Sequence, residues 1–352
     1  MTIFVTGAAG FIGSNFVLDW FIQSEEAIVS LDILTYAGNL ENLSSLQKHP
    51  HHHFIQGDIS NRKLVLQILI KYNIRAVINF AAESNVDRSI HDPDNFIKSN
   101  IIGVYNLLEA SRAYWQNLSK NLKNKFRFLH ISTDEVFGSI EELDSLPGEN
   151  FFYQPNNPYS ASKAAGAHLV RAWFQTYGLP TLMTNSSNNY GPFHFPEKLI
   201  PLCILNALNN KPLPIYGDGK QVRDWLYVKD NCRGIKLALE RGKPGEAYNI
   251  GCSNEKTNLE IVQMICKILD ELKPKDGGKK YAEQITFVRD RPGHDRRYAI
   301  DSNKIRKNLG WQPLETLESG FRKTVLWFLE NPNWVNRVLS KEYENWIKKQ
   351  YP

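Results

Sequence analysis

Tyr159 and Lys163 form a pair that could abstract a proton. They lie four positions apart and so share one face of a helix, for which Asn157 and Pro158 provide a suitable start. A phenol with a pKa of about 10 is a weak base at neutral pH, but a lysine ammonium group and a helix N-terminus both favour the phenolate. Alone, such a pair is more often a surface tyrosine beside a solvated lysine, so the other motifs must decide whether Tyr159 is a base.

Two adjacent carboxylates, Asp134 and Glu135, follow Thr133 at the end of the apolar stretch FRFLHI. Successive residues of a strand point to opposite faces, so both carboxylates can enter one pocket only if the backbone leaves the strand, which Gly138 favours. Two carboxylates beside a tyrosine and a lysine exceed what hydride transfer needs and suit an elimination, with one group as acid and the other as base. The alternative is a solvated acidic turn.

A glycine-rich loop near the start of the chain predicts a dinucleotide site. Gly7, Gly10 and Gly13 follow the first predicted strand and open a helix, with the spacing GxxGxxG rather than GxGxxG. Glycines allow a tight turn and close approach of a pyrophosphate, which the helix N-terminus would bind. Asp32 ends the second predicted strand, where a carboxylate binds ribose hydroxyls and repels a 2′-phosphate, so we expect NAD. Residues 58–59 would lie near the adenine or form a plain turn.

These motifs need a scaffold that gathers the carboxyl ends of several strands. Short apolar strands alternate with helical stretches through the first half of the chain, which is typical of a parallel sheet covered on both faces. The sequence therefore predicts an α/β fold with a doubly wound parallel sheet, the Rossmann architecture. The predicted strands are residues 2–5, 27–31, 54–56, 76–80, 126–131 and 181–184. The predicted helices are residues 12–22, 64–71, 96–114 and 159–177.

The pattern changes after about residue 185, where proline and glycine become frequent. Further helices are predicted at residues 231–240, 259–272, 317–329 and 343–349. We predict a dinucleotide-binding domain of residues 1–187 plus about 224–250, and a smaller C-terminal substrate-binding lobe of residues 188–223 and 251–352.

Composition excludes several functional classes. The 352 residues carry a net charge of +5 without a block of like charges, which argues against a nucleic-acid partner. No apolar run is long enough for a membrane span, and the N-terminus lacks the pattern of a signal peptide. Four cysteines without a CxxC motif predict reduced thiols, a cytoplasmic location and no metal site. We interpret the histidine-rich run 49–53 as a solvated loop before the third strand rather than a metal site.

The glycine loop together with YxxxK resembles the extended branch of the short-chain dehydrogenase/reductase superfamily. Longer segments narrow the resemblance to the dTDP-glucose 4,6-dehydratases. These segments are LTYAGN (34–39), AAESNVDRSI (81–90), STDEVFG (132–138), PYSASKA (158–164), SNNYGPFHFPEKLIP (187–201), IYGDGKQVRDWLYV (215–228), YNIG (248–251) and DRPGHDRRYAIDSNKI (290–305). The STDE block and DRPGHDRR discriminate far better than the two motifs that many relatives share.

This resemblance implies that the chain converts dTDP-glucose into dTDP-4-dehydro-6-deoxy-glucose with NAD as its cofactor. Thr133 would hold the 4-hydroxyl, and Tyr159 would take its proton as hydride leaves C4 for NAD. Glu135 would then remove the C5 proton, Asp134 would protonate the departing C6 hydroxyl, and hydride would return to C6. Relatives commonly pair through two long helices of the dinucleotide domain, which implies a homodimer, although core packing explains the apolar residues of 96–114 equally well.

The resemblance also implies the binding residues. The expected NAD-binding residues are Gly7, Gly10, Phe11, Ile12, Gly13, Asp32, Ile33, Leu34, Thr35, Asp58, Ile59, Phe80, Ala81, Ala82, Ser84, Ser99, Tyr159, Lys163 and Asn189. The expected substrate-binding residues are Ser84, Thr133, Asn188, Lys198, Leu199, Pro214, Ile215, Tyr216, Arg223, Asn258, Asp290, Arg291, Pro292, Gly293 and His294.

The arginines are informative without the family, since guanidinium groups match a diphosphate well. We expect Arg223 to face such a ligand, and Arg296 and Arg297 to lie in a solvated loop with internal Asp–Arg pairs. Two residues depart from the family pattern. Asn85 stands where histidine is common, and Phe137 stands where tyrosine is common, which puts fine positioning near the active loop in doubt.

Two alternative functions remain open at this stage. An NAD-dependent sugar-nucleotide 4-epimerase would share the glycine loop and YxxxK but would not need Asp134 and Glu135. A redox sensor that binds the dinucleotide without catalysis would be expected to have lost Tyr159 or Lys163, and the sequence retains both.

Overall fold

The first half of the chain is built on a parallel sheet in the computed structural model, which describes residues 2–141 and 145–339. The strands are β1 (Thr2–Thr6), β2 (Ala27–Asp32), β3 (His52–Gln56), β4 (Ile74–Asn79), β5 (Arg127–Thr133), β6 (Thr181–Ser186), β7 (Asn188–Tyr190), β8 (Leu213–Tyr216), β9 (Val222–Tyr227), β10 (Ala247–Ile250), β11 (Glu255–Thr257), β12 (Ile285–Val288) and β13 (Arg297–Tyr298). Seven of these described strands form one parallel sheet in the order β10-β6-β5-β4-β1-β2-β3.

Helices cover both faces of this sheet. The helices of the described residues, including those of the second half of the chain, are α1 (Phe11–Gln23), α2 (Arg62–Lys71), α3 (Val86–His91), α4 (Asp94–Ile97), α5 (Val104–Gln116), α6 (Lys120–Lys125), α7 (Pro158–Tyr177), α8 (Leu199–Leu208), α9 (Val228–Arg241), α10 (Asn258–Leu272), α11 (Asn303–Leu309), α12 (Leu317–Glu330) and α13 (Pro332–Val338). Along β1, Ile3 and Val5 pack towards α1 and α9, whereas Phe4 packs towards α2 and α5. The predicted doubly wound α/β fold is confirmed.

The second half of the described chain adds two smaller sheets. One joins β7, β9, β11 and β13, and the other pairs β8 with β12. Helices α8, α10, α12 and α13 enclose a separate apolar core, in which the ring of Tyr190 stacks on that of Phe321 with centroids 4.2 Å apart. Strand β10 returns to the large sheet beside β6, so the two halves are connected more than once.

One predicted helix and one predicted loop differ from the structure. The stretch 96–114 is divided, because a π-helical segment, Lys98–Gly103, separates α4 from α5. Within it, the amide of Asn100 donates to Glu83 O and to the Ser162 hydroxyl. The histidine run is not wholly a solvated loop, because β3 begins at His52, whose ring is hydrogen-bonded to the buried Ser30 hydroxyl.

The predicted helix at 343–349 lies outside the described residues. Within the ranges 2–141 and 145–339, none of the helices is both long and apolar enough to cross a membrane.

Candidate active site

Two adjoining cavities open at the carboxyl ends of the central strands. The first has a volume of about 300 Å³ and lies over the glycine loop. The second has a volume of about 280 Å³ and lies between the large sheet and the second half of the chain. Tyr159, Ser84, His194 and Glu197 line both, so a ligand in one cavity would contact a ligand in the other. Such a crevice beyond the strand ends is the usual ligand site of doubly wound sheets.

The glycine loop is packed so closely that side chains would not fit. Gly7 has a φ of +66°, and a Cβ atom there would lie 2.6 Å from Ala81 N. A Cβ atom on Gly13 would lie 2.2 Å from Gly7 O. Gly10, the N-cap of α1, provides no side-chain cap, and the first turn of the helix lines the first cavity. This arrangement leaves backbone N–H groups available for a pyrophosphate.

Asp32 is held at the end of β2 as a hydrogen-bond acceptor. Its Oδ2 accepts from Ala9 N at 2.9 Å, and its Oδ1 accepts from Leu34 N at 2.8 Å. Burial raises the pKa of Asp32 above its ordinary value, while these two amides act in the opposite direction. The carboxylate lines the first cavity, as the sequence predicts for a group that meets ribose hydroxyls.

Most of the predicted cofactor residues meet in the first cavity. Those that line it are Gly7, Gly10, Phe11, Ile12, Gly13, Asp32, Ile33, Thr35, Asp58, Ile59, Phe80, Ala81, Ala82, Ser84, Ser99, Tyr159 and Lys163. Leu34 and Asn189 do not line it. Leu34 instead orients Asp32 through its backbone, and Asn189 lies in the wall of the second cavity because β7 belongs to the second half of the chain.

The two carboxylates share the second cavity because the chain turns sharply after β5. Asp134–Phe137 form a 3-10 turn, which Gly138 ends with a φ of +78°. The Thr133 hydroxyl accepts from Glu135 N at 3.2 Å and donates to Asp134 Oδ1 at 3.1 Å. A Cβ atom on Gly138 would lie 2.2 Å from Gln154 O, so the turn depends on glycine. The predicted departure from the strand is confirmed.

Asp134 is prepared to hold a proton. Burial, with the added charges of Glu135 and Asp224, raises the pKa of Asp134 well above its ordinary value. Its Oδ2 atom is buried and has no hydrogen-bond partner among the described residues, although the atom belongs to a residue that lines the second cavity. Glu135 differs, because its Oε2 accepts from the Ser160 hydroxyl at 3.3 Å. The adjacent carboxyls thus have distinct surroundings, which suits an acid and a base.

Tyr159 and Lys163 lie on the first turns of α7, where Asn157 caps the helix by accepting from Ser160 N at 2.9 Å. Lys163 Nζ donates to Ile131 O at 2.7 Å, and burial lowers the pKa of Lys163 to about 8. Burial, followed by the charge of Glu135, raises the pKa of Tyr159 above its ordinary value.

The protein groups together raise the pKa of Tyr159, and the expected stabilisation of its phenolate by Lys163 stays a prediction. The pKa rises because desolvation and the nearby carboxylates act against the phenolate, and neither effect can be read from the YxxxK spacing.

A basic wall closes the far side of the second cavity. The buried Arg223 guanidinium stacks over the Tyr298 ring at 4.3 Å and donates to Asp295 O at 3.0 Å. Arg291 forms a 3.5 Å ion pair with Asp87. Burial and the charge of Arg291 lower the pKa of His294 to about 4, so its imidazole is neutral at neutral pH.

Most predicted substrate residues line this second cavity. They are Ser84, Thr133, Asn188, Lys198, Leu199, Pro214, Ile215, Tyr216, Arg223, Asn258, Arg291 and His294. Asp290, Pro292 and Gly293 do not line it. Asp290 contacts the cavity wall indirectly. Its carboxylate is hydrogen-bonded to His294 Nδ1 at 2.6 Å and accepts from Gln221 Nε2 at 2.9 Å. The expected pairs within the arginine-rich run are not the ones formed, because Arg296 pairs with Asp218 and Arg297 with Glu255, which other segments bring close.

Sequence reasoning missed several residues of these walls. His194 and Glu197 line both cavities, Tyr298 and Trp225 line the second, and Glu83 lines the first. No local spacing marks them, because each reaches its cavity through tertiary packing. Their only signal was position inside segments already matched to the family.

The two departures from the family pattern have local explanations. Asn85 is the N-cap of α3, and its Oδ1 accepts from Arg88 N at 2.9 Å, a role that asparagine performs well. Phe137, the last residue of the 134–137 turn, is buried and packs edge-on against Phe151 and Tyr153 in an aromatic cluster.

Comparisons with known proteins agree with this geometry. Residues 4–324 match the family described as GDP-mannose 4,6 dehydratase. A dTDP-glucose 4,6-dehydratase of Salmonella typhimurium is 54% identical over 359 aligned residues, covering 100% of this chain and 99% of the relative.

Solved structures lead to the same family. A dTDP-glucose 4,6-dehydratase from Bacillus anthracis, crystallised in complex with NAD, is 41% identical with a TM-score of 0.84, over 96% of this chain and 99% of that one. Another from Streptomyces venezuelae, also with NAD bound, is 40% identical with a TM-score of 0.86, over 95% of this chain and 98% of that one. The resemblance seen in the sequence is confirmed. The chain belongs to the GDP-mannose 4,6 dehydratase family and, within it, to the dTDP-glucose 4,6-dehydratases.

Proposed function

We propose that this chain is an NAD-dependent hydro-lyase that converts dTDP-glucose into dTDP-4-dehydro-6-deoxy-glucose and water. The observation that carries the proposal is the pair of unlike carboxyls, Asp134 and Glu135, in a cavity that adjoins the glycine loop. An epimerase needs no such pair, and a sensor without catalysis would not need the buried Tyr159 and Lys163. The relatives that match almost the whole chain are dehydratases by name.

The first cavity fits NAD. The crowding at Gly7 and Gly13 brings backbone N–H groups to the position of a pyrophosphate, and the Asp32 carboxylate faces the same cavity. When bound, NAD supplies a group that accepts a hydride and later returns it. We assign its binding to the residues that line the first cavity, with Leu34 acting through Asp32.

Oxidation at C4 is assigned to the residues where the cavities meet. Thr133 would hold the 4-hydroxyl, and Tyr159 would receive its proton. Because the pKa of Lys163 is lowered only to about 8, its ammonium group stays largely protonated at neutral pH, so a positive charge remains one helical turn from Tyr159 during the transfer.

Elimination is assigned to the two carboxyls. A ketone at C4 makes the C5 proton acidic, and Glu135 would remove it. Asp134, whose pKa burial raises well above its ordinary value, would give a proton to the departing C6 hydroxyl, so that water leaves. The Asp134 Oδ2 atom has no other partner in the described residues and is the atom that we assign to this transfer.

The diphosphate of the sugar nucleotide is assigned to the basic wall. Arg223 and Arg291 offer guanidinium groups there, and the neutral His294, oriented by Asp290, offers its second ring nitrogen. Lys198 closes the side nearest Tyr159. Its Nζ donates to Ser84 O at 2.8 Å, which fixes the chain between the two cavities.

Three assignments concern the whole chain. The domain division at 1–187 plus about 224–250, with 188–223 and 251–352 as the second lobe, is supported by the return of β10 to the large sheet. A homodimer is supported by exposed apolar side chains on the outer surface of the helices, at Ile97, Ile102, Tyr105 and Tyr177. The four cysteines carry free thiols, which supports a cytoplasmic location.

An isotope experiment tests the proposal. The purified chain is incubated with dTDP-glucose that carries deuterium at C4, and a second reaction with unlabelled substrate is run in heavy water. The product should carry the C4 label at C6 in the first reaction and solvent deuterium at C5 in the second. Release of reduced cofactor in amounts equal to product, or loss of the C4 label to solvent, would show a simple dehydrogenase. A 4-epimer without loss of water would show an epimerase.

A further inference from the structure

A short segment of the second half of the chain lies across both cavities. We call residues 194–198, between β7 and α8, the strap. His194 stacks on Phe11 of the glycine-loop helix with ring centroids 4.3 Å apart, and Phe195 packs edge-on against Tyr36 at 5.4 Å. The strap therefore rests on the part of the chain that forms the cofactor cavity.

Glu197 is hydrogen-bonded through both of its carboxylate oxygens. Its Oε1 accepts from the Tyr36 hydroxyl at 3.1 Å, and its Oε2 accepts from Arg88 Nε at 3.0 Å. The Arg88 guanidinium also lies 3.7 Å from the centre of the Tyr36 ring. Only 2% of the Glu197 side chain is exposed, so one buried carboxylate joins three segments that are distant in sequence.

Neither oxygen of Glu197 is available for the reaction assigned above. Both oxygens accept hydrogen bonds from protein groups, and a buried carboxylate in an ion pair is a poor proton carrier. Glu197 nevertheless lines both cavities, and the next residue, Lys198, bonds to Ser84 O at their boundary. Glu197 therefore links the strap to the segments that carry Tyr36 and Arg88.

We propose that Glu197 is a positioning residue that holds the strap over the cofactor cavity and thereby keeps NAD bound throughout each reaction cycle. The inference rests on the proposed function, in which the hydride taken from C4 returns to C6 of the same sugar. That return requires the cofactor to stay while the carboxyls complete the elimination. Tyr36 and Arg88 hold the strap through hydrogen bonds to Glu197, and the stacking of His194 on Phe11 holds its first residue.

The test measures cofactor retention separately from chemistry. Glu197→Gln keeps the shape of the side chain but removes the charge that binds Arg88, and Tyr36→Phe removes one hydroxyl and leaves the ion pair. Glu271→Gln is the matched control, because its carboxylate pairs with Arg322 at 2.7 Å on the surface, far from any assigned role. Each holoenzyme is passed through gel filtration and its bound NAD per chain is counted. Turnover is then run with pyruvate and lactate dehydrogenase, which consume only reduced cofactor that has left the enzyme.

Glu197→Gln should lose NAD at least tenfold faster than the unmodified chain. During turnover of this variant, lactate dehydrogenase should consume pyruvate because reduced cofactor is released. The kcat per bound NAD should change less than threefold. Tyr36→Phe should lose NAD about threefold faster, and Glu271→Gln should behave as the unmodified chain does. If Glu197→Gln fails to fold, Tyr36→Phe alone decides.

Two results would overturn the inference. One is normal NAD retention in both strap variants, and the other is a large fall in kcat per bound NAD without release of cofactor, which would place Glu197 in the chemistry. If the unmodified chain does not dehydrate dTDP-glucose at all, the proposed function fails. The gel-filtration comparison still decides the inference about the strap in that case.

Discussion

The two cavities are assembled in different ways. The cofactor cavity draws most of its wall from the first hundred residues, where successive turns after β1, β2, β3 and β4 meet at one edge of the sheet. The substrate cavity gathers residues from β5, α7, the strap, β8, β9 and the loop before β13. A wall made of consecutive turns can be recognised from local spacing, whereas a wall made of distant segments depends on how two lobes pack.

Two aspartates show the same contrast at the level of single groups. Each oxygen of Asp32 accepts a backbone amide in the first cavity, so this carboxylate is prepared as an acceptor. Asp134 accepts from the Thr133 hydroxyl through Oδ1, its Oδ2 has no hydrogen-bond partner among the described residues, and burial raises its pKa well above the ordinary value. Burial also raises the pKa of Asp32, but two backbone amides act against that rise, which fits the different roles proposed for the two aspartates.

The largest effect is expected where the cavities meet. Tyr159→Phe removes the hydroxyl that receives the C4 proton and leaves the ring packed against Phe96. We expect kcat to fall about 1,000-fold or more, roughly 4 kcal/mol, while the affinities for NAD and nucleotide change little. Single-turnover absorbance near 340 nm, together with calorimetric titration of dTDP, measures the two quantities. Turnover close to that of the unmodified chain would show that another group is the base.

Substitution of either carboxyl should slow elimination more than oxidation. Asp134→Asn removes the proton of the acid and Glu135→Gln removes the base, and neither change touches the glycine loop. We expect water loss to slow about 100-fold in each, which is roughly 3 kcal/mol, while some reduced cofactor still forms in a single turnover. If loss of the C6 oxygen keeps its rate in both variants, the assignment of the substrate cavity is wrong.

The cofactor cavity is tested by its preference between dinucleotides. Asp32 would meet a 2′-phosphate with like charge, and its carboxylate is fixed by Ala9 and Leu34, so it has little freedom to turn away. We expect NAD to bind at least tenfold more tightly than NADP, and Asp32→Asn to narrow that ratio. Calorimetric titration of both dinucleotides decides this without any turnover. Equal affinities in the unmodified chain would contradict the role of Asp32.

The sequence predicted the features that local residue patterns mark better than those that distant segments build. The glycine loop, Asp32 and the turn after Thr133 were predicted because residue types within a few positions of one another mark each of them in the sequence. The contacts that hold them come from farther away, as with Ala81 against Gly7 and Gln154 against Gly138. Leu34 was placed in the cofactor wall, although it contributes only its amide, because a strand end does not reveal which way its next side chain turns.

Sequence reasoning missed the pKa shift of Tyr159 and the contacts of Glu197, both of which depend on burial. The pKa of Tyr159 was expected to fall, whereas the structure surrounds the phenol with apolar groups and carboxylates. Glu197 lies more than a hundred residues from both of its partners, and no spacing rule could join it to Tyr36 and Arg88. Both failures come from burial and tertiary packing, which local patterns do not record.

The smallest expected effect concerns Glu83, which lines the first cavity and which we expect to affect stability rather than chemistry. Burial, together with the charge of Glu197, raises the pKa of Glu83 to about 7, while Arg88 acts in the opposite direction. A carboxyl whose pKa is raised by folding keeps its proton longer in the folded state than in the unfolded chain. Its contribution to stability is therefore complete below about pH 4.5 and is lost as the pH rises through about 7.

Glu83→Gln replaces this carboxyl by a neutral group of the same shape. The variant should therefore not lose stability as the pH rises through about 7. We expect the variant to unfold with a free energy about 2 kcal/mol higher than the unmodified chain at pH 8 and nearly equal to it at pH 5. Urea denaturation at both pH values measures the difference, and Glu25→Gln in the exposed loop before β2 is the control. A stability gain that is the same at both pH values would mean that the side chain matters through packing. A loss at pH 8 would mean that the Glu83 carboxylate is bound to Arg88 and is needed to hold the two cavities together.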